Sequence, residues 1–146
     1  MGYKFFDNIA VADVAYEAGG KTMEEMFESA ANALMTTQVK DLETVKKKEK
    51  VTFKLENKDE ERLLHDFLQE LIFYKDAKLL LFSRYKLKIT RQSSGGFKLE
   101  ATCFGEELNM KKHELLVDVK AVSWHMFKVW QDEKKKEWKC FIILDV

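Results

Sequence analysis

The chain has 146 residues, of which 46% are hydrophobic and 12% aromatic, including eleven Phe and three Trp. That is enough apolar surface to offset the entropy of one folded domain, and too little length for two. Lys plus Arg equals Asp plus Glu at 25 each, so the strong basic excess of a protein that grips a nucleic-acid backbone by itself is lacking.

No run approaches the roughly 20 apolar residues of a membrane span, and the opening Met1-Gly2-Tyr3-Lys4-Phe5-Phe6 has no signal-peptide core. Gly2 is not a myristoylation signal either, because Phe6 stands where that motif requires Ser or Thr. A cytoplasmic protein is expected. Cys103 and Cys140 each sit in an apolar strand-like run, as small buried hydrophobes rather than a metal clip.

In chain order, a short apolar segment follows Asp13, and Gly19-Gly20 predicts a tight turn. Thr22 reads as a helix N-cap with Glu25 as its capping-box partner, opening a helix over residues 23–36. Met23, Met26, Phe27, Ala30 and Leu34 form its core stripe, while Glu24, Glu28 and Asn32 face away. Strict alternation predicts a half-buried strand over 51–55, preceded by a solvated lysine run. A second amphipathic helix spans 59–74, its stripe made of Leu64, Phe67, Leu68, Leu71 and Ile72, with His65 at the surface or boundary. Residues 79–90 and 97–101 form a hairpin around Ser93-Ser94-Gly95-Gly96, and 117–130 pairs with 138–144 across a hydrophilic loop. The fold class is α+β: one domain over 1–146, a two-layer sandwich of two amphipathic helices on a mostly antiparallel sheet.

Two carboxylates draw notice. Asp13 is set among Val11, Ala12, Val14 and Ala15, where burial demands a partner. Asp145 ends the apolar run Phe141-Ile142-Ile143-Leu144 and is followed by the carboxyl group of Val146. Repulsion between the negative groups is relieved by a hard divalent cation, which takes oxygen ligands. The plainer reading makes Asp145 a solvated end and Asp13 a turn residue.

Along residues 118–125, alternation sets Asp118, Lys120, Val122 and Trp124 on one side and Val119, Ala121, Ser123 and His125 on the other. Lys120 and His125 therefore cannot share a site without a bulge. Ser123 and His125, two apart on a strand, do not make a triad, and no Gly-x-Ser-x-Gly elbow or phosphate loop occurs. His113 falls in a loop and has no metal-ligand spacing to His125. No catalytic residue is assigned.

In sequence order, Ala12-Asp13-Val14, Gly20-Lys21-Thr22-Met23-Glu24-Glu25-Met26-Phe27, Phe67-Leu68-Gln69-Glu70-Leu71, Gly105-Glu106, Val119-Lys120-Ala121-Val122-Ser123-Trp124-His125 and Ile143-Leu144-Asp145-Val146 resemble the archease family. One stretch departs from it: many archeases carry Asp-His-Thr-Ala-Asp, whereas Asp7-Asn8-Ile9-Ala10-Val11-Ala12-Asp13 is two residues longer and has no His. The resemblance implies an accessory protein, not an enzyme, that promotes guanylylation and multiple turnover of an RtcB-type tRNA-splicing ligase. It further implies a divalent metal, calcium first with magnesium or manganese as alternatives, held by Asp13, Asp145 and Val146. Lys120 is a candidate contact to the ligase, and RNA is met only through that partner. The competing expectation is a stand-alone metal-dependent phosphoester hydrolase using the same acidic pair.

Overall fold

A computed structural model describes residues 2–6 and 13–146. Its strands are β1 (Gly2–Phe6), β2 (Asp13–Gly20), β3 (Glu49–Asn57), β4 (Leu80–Arg91), β5 (Phe97–Glu107), β6 (Ala121–Asp132) and β7 (Glu137–Asp145). The helices are α1 (Met23–Gln38) and α2 (Glu60–Lys78), with a 3-10 turn at Leu42–Thr44.

Helix α1 begins where the capping signal places it: Thr22 accepts from the Glu25 N–H at 3.1 Å. The Glu25 carboxylate reaches back past the cap and accepts from the Lys21 N–H at 3.4 Å. Helix α2 is capped by Asp59, whose Oδ1 accepts from the Arg62 N–H at 2.8 Å. It continues four residues beyond the expected Tyr74, because Lys75 is a buried anchor and Leu79 closes the helix in the left-handed region at φ 57°. Gly19 and Gly20 complete β2 instead of forming a turn. At Gly20 a Cβ would collide with Glu25 and Met26, so the glycine lets strand and helix meet closely.

The strands make two antiparallel sheets in place of one, ordered β1-β2-β7-β6 and β3-β5-β4. Both lay an apolar face on the helices. Phe27 of α1 stacks on Phe67 of α2, and Phe67 meets Phe53 of β3 and the edge of Tyr85 of β4. Tyr16 and Ile142 bring the four-stranded sheet into the same core, where Tyr16 donates its hydroxyl to the Ala30 carbonyl at 3.0 Å. Cys103 and Cys140 are buried free thiols, pushed up to about 12 by desolvation, which keeps them from acting as nucleophiles or ligands.

The sheets differ in regularity. The β4–β5 ladder shifts once, between Phe82 and Arg84, where Gly105 lets the Leu81 carbonyl approach so closely that any Cβ would collide with it. Along β6, Ser123 pairs with Ile143 and Lys128 with Phe141, so four residues of β6 stand opposite Ile142 alone. Met126 adopts φ 58° inside this bulge. The alternation expected over 118–125 is therefore broken, and 118–120 precede the strand instead of belonging to it.

Candidate functional site

The first and last strand positions of the four-stranded sheet converge. β2 and β7 run antiparallel with Asp13 directly opposite Asp145, and on the far side of β7 Asp145 faces Ala121 of β6. Because side chains alternate along a strand, Asp13 and Asp145 project from one face, away from the core-facing Val14 and Leu144. Cross-strand partners of this kind hold their Cβ atoms about 5 Å apart, close enough for two carboxylates to repel or to share one cation. Asp145 is exposed and Asp13 half-buried, while the small side chain of Ala121 fills little of the space beside Asp145. Val146 is half-buried and packs on the core.

The segment leading into β6 is tied down at successive points. Its residues 114–116 run beside the end of α1, where the Lys40 N–H donates to the Glu114 carbonyl and the Leu116 N–H to the Gln38 carbonyl. Lys75 Nζ, buried at the end of α2, holds the Val119 carbonyl at 2.7 Å and Asp118 Oδ1 at 2.5 Å, with Asp76 at 3.1 Å. The Lys120 N–H then donates to the Asp145 carbonyl at 2.8 Å. Lys120 thus follows a clamped stretch and is joined through its backbone to Asp145, one member of the acidic pair. Its side chain is exposed.

A second polar cluster sits at the other end of this segment. Glu106 Oε2 accepts from Lys112 Nζ at 2.6 Å, from the Lys46 N–H at 2.7 Å and from His113 Nε2 at 3.0 Å, with Lys48 Nζ 3.6 Å from Oε1. Burial alone pushes the Glu106 carboxyl up, but the bonds from Lys112, Lys46 and His113 outweigh it and hold the group at about 2. The Asn109 N–H donates to His113 Nδ1, which leaves the ring proton on Nε2, aimed at Glu106. His113 is accordingly a buried tether and not a plain loop histidine. His65 is also buried. It lies 2.8 Å through Nε2 from the Val122 carbonyl and stacks on Trp124 at 3.9 Å between centroids. Both roles depend on partners more than forty residues away or on loop closure, and no local pattern signals either.

Ser123 and His125 do not form a catalytic pair: the contact between them is the His125 backbone N–H donating to Ser123 Oγ at 3.0 Å. Among the described residues no three His, Cys, Asp or Glu side chains gather in a metal-ligand cluster. The pair Asp13 and Asp145 supplies oxygen donors only, a set that suits a hard divalent cation completed by carbonyls, a further carboxyl group and water, and does not suit zinc. The departure from the family pattern over 7–12 lies outside the described residues.

Residues 3–146 match the model of the archease protein family. The chain belongs to the archease family. It is 36% identical over 132 residues to the protein archease of Methanothermobacter thermautotrophicus, covering 90% of this chain and 91% of that one. A protein archease of Pyrococcus furiosus is 36% identical over 118 residues, covering 81% and 82%. An archease-like protein of Drosophila melanogaster is 30% identical over 146 residues, covering all of this chain and 91% of its own. The solution structure of a Methanobacterium thermoautotrophicum protein superposes with a TM-score of 0.85 at 35% identity, covering 99% of both chains. Archease membership fits an accessory protein and the α+β fold of two helices on antiparallel sheets. No helix among the described residues is long and apolar enough to cross a membrane.

Proposed function

We propose that this archease is a cytoplasmic, non-catalytic activator of an RtcB-type tRNA-splicing ligase, promoting the ligase's guanylylation and its multiple turnover. Family membership supports the accessory role, and the cross-strand placement of Asp13 against Asp145 supports where it acts. The pair holds a divalent cation, calcium first, with Val146 as a third oxygen source. Bound there, the cation neutralises two like charges and offers open coordination positions to an anionic group of the partner. The chain's own residues orient that end. Lys75 fixes Asp118 and Val119, the Lys120 N–H fixes the Asp145 carbonyl, and the exposed Lys120 ammonium is left to reach a phosphate or a ligase carboxylate.

The test is ligase turnover with catalytic amounts of the protein. The parent converts its cognate ligase to repeated turnover and shows no ligation by itself. Asp145→Ala loses the stimulation while keeping the parent's circular dichroism, since an exposed side chain at a strand end leaves no core cavity. Stimulation by Asp145→Ala equal to that of the parent would remove the acidic end as the working site.

A further inference from the structure

The formal charge of the chain is zero, but the charge is not evenly spread. The three-stranded sheet turns one face to the helices and the other to solvent, and the register fixes which residues share the outer face. In one row Lys50 of β3, Phe104 of β5 and Arg84 of β4 stand side by side. The next row holds Thr52, Thr102 and Lys86, and the third holds Lys54, Glu100 and Lys88. A fourth row adds Lys98, beside Glu56.

Six cations thus face two carboxylates, in a molecule whose totals cancel. Both carboxylates are already engaged: Glu100 pairs with Lys54 at 3.9 Å, and Glu56 accepts from Gln92 at 2.7 Å. Among the described residues Lys50, Arg84, Lys86, Lys88 and Lys98 make no ion pair. A solvated sheet face needs polar residues, yet it does not need them to be of one sign: Arg84, Lys86 and Lys88 repeat along one face of β4, with Lys50 and Lys54 on the same side across β5. A polyanion neutralises such a field of cations.

The aromatic at the centre narrows the polyanion. Phe104 is half-buried, with the Arg84 guanidinium 5.9 Å and Lys86 Nζ 5.8 Å from its ring centroid. A flat sheet carrying a phenyl ring, a guanidinium plane and unpaired lysines is a surface on which an unpaired base stacks while its neighbouring phosphates meet cations. Protein interfaces, by contrast, are depleted in lysine, and this face has five of the six cations as lysine. A duplex hides its base faces and presents grooves that a flat sheet does not enter. A depression of about 290 Å³ is lined on this face by Thr52, Lys54, Lys86, Lys88, Thr102 and the Lys54-paired Glu100, in the rows next to that of Phe104.

We propose that the outer face of the three-stranded sheet binds a single-stranded nucleic acid, a base lying on Phe104 and Arg84 and phosphates on Lys50, Lys86 and Lys88. This goes beyond ligase activation, where RNA is met through the partner, and it is tested without the ligase. The probe is a short fluorescent oligouridylate titrated with the full chain across a salt series. Binding is expected at low salt, with log K falling by about 0.7 per phosphate contact for each decade of salt, near 2 in all. Lys86→Glu with Lys88→Glu is expected to weaken binding at least tenfold and to flatten that slope by about 1.4. Lys134→Glu with Lys135→Glu changes the net charge equally on the β6–β7 turn and leaves affinity within twofold of the parent. Phe104→Leu lowers affinity about tenfold with the slope unchanged, the signature of lost stacking. The proposal is overturned if the parent does not bind at low salt, or if the turn reversal weakens binding as much as the face reversal. Equal binding of a duplex, or equal competition by polyglutamate, overturns it too, the latter assigning the face to an acidic protein.

Discussion

The two sheets are built on one plan and used differently. Each is antiparallel with one face on the helices, but the three-stranded sheet keeps near-perfect register and carries a field of cations, whereas the four-stranded sheet is interrupted by a large bulge and ends in opposed carboxylates. In the first, the outer face is an ordinary consequence of alternation and its charge is the unusual part. In the second, the backbone itself departs from alternation, and α2 side chains hold it there: the Val129 N–H donates to Glu61, His65 meets the Val122 carbonyl, and the Val122 N–H donates to Gln69. Regular hydrogen bonding makes a surface of repeating spacing, while a bulge needs side chains from another element to replace the ladder bonds it forfeits.

The largest expected effect comes at the end of the regular sheet. Glu106→Ala strands the Lys46 N–H, Lys112 and the His113 ring around an empty acceptor, and is expected to cost about 3 kcal/mol in urea unfolding, with the slope of the transition unchanged. Its pH signature is separable. The Glu106 carboxyl sits near 2 in the fold against an ordinary 4.5, so its contribution is fully present above pH 4.5 and disappears as the pH falls toward 2. The variant lacks that limb of the stability curve.

On the bulged sheet the corresponding test is His65→Ala, which removes the Val122 contact and the Trp124 stack and is expected to cost about 2 kcal/mol. Burial pushes the His65 ring below its ordinary 6.5, against smaller opposing contributions from the Val122 carbonyl and Asp66. Above pH 6.5 folded and unfolded chains both hold the ring neutral. As the pH falls below 6.5 the unfolded chain takes the proton first, so stability declines there, in a window higher than that of Glu106. Trp124 fluorescence in the parent should report the loosening of β6 as the pH falls below 6.5, and His65→Ala should abolish that change. A fluorescence transition that persists in the variant would place the titrating group elsewhere.

How much of this was legible follows from how far each signal reaches along the chain. The α1 cap and the Gly95-Gly96 turn are written within a few residues, and each lies where the sequence puts it, whereas Asp59, read as the start of α2, is its cap. β1 was not anticipated, because Gly2–Phe6 is a short edge strand whose existence depends on pairing with β2. The bulge left no trace, since Met126 is not a residue that advertises a positive φ. His65 read as a surface or boundary group and His113 as a loop residue without a partner, because their acceptors, the Val122 carbonyl and Glu106, are not signalled by local sequence. Asp13 and Asp145 stood out for the opposite reason: each is a carboxylate beside an apolar run, a local anomaly, and the antiparallel register then sets them face to face.

The smallest effect asks most directly what that pairing is for. Opposed carboxylates on neighbouring strands destabilise a sheet by a few tenths of a kcal/mol to about 1 kcal/mol, so in chelator-treated protein Asp13→Asn is expected to unfold at slightly higher temperature than the parent. Calcium should reverse the order. A ligand that binds only the folded chain stabilises it by about 2.7 kcal/mol at a hundredfold excess over its Kd, so added calcium should raise the parent's midpoint above that of the variant. The variant, with one carboxylate gone, should barely respond. The crossing of the two curves carries the argument, because a merely structural Asp13 would make the variant less stable in chelator as well as in calcium. If the parent's midpoint is the same in chelator and in calcium, the opposed charges are relieved by solvent alone and the acidic end holds no cation.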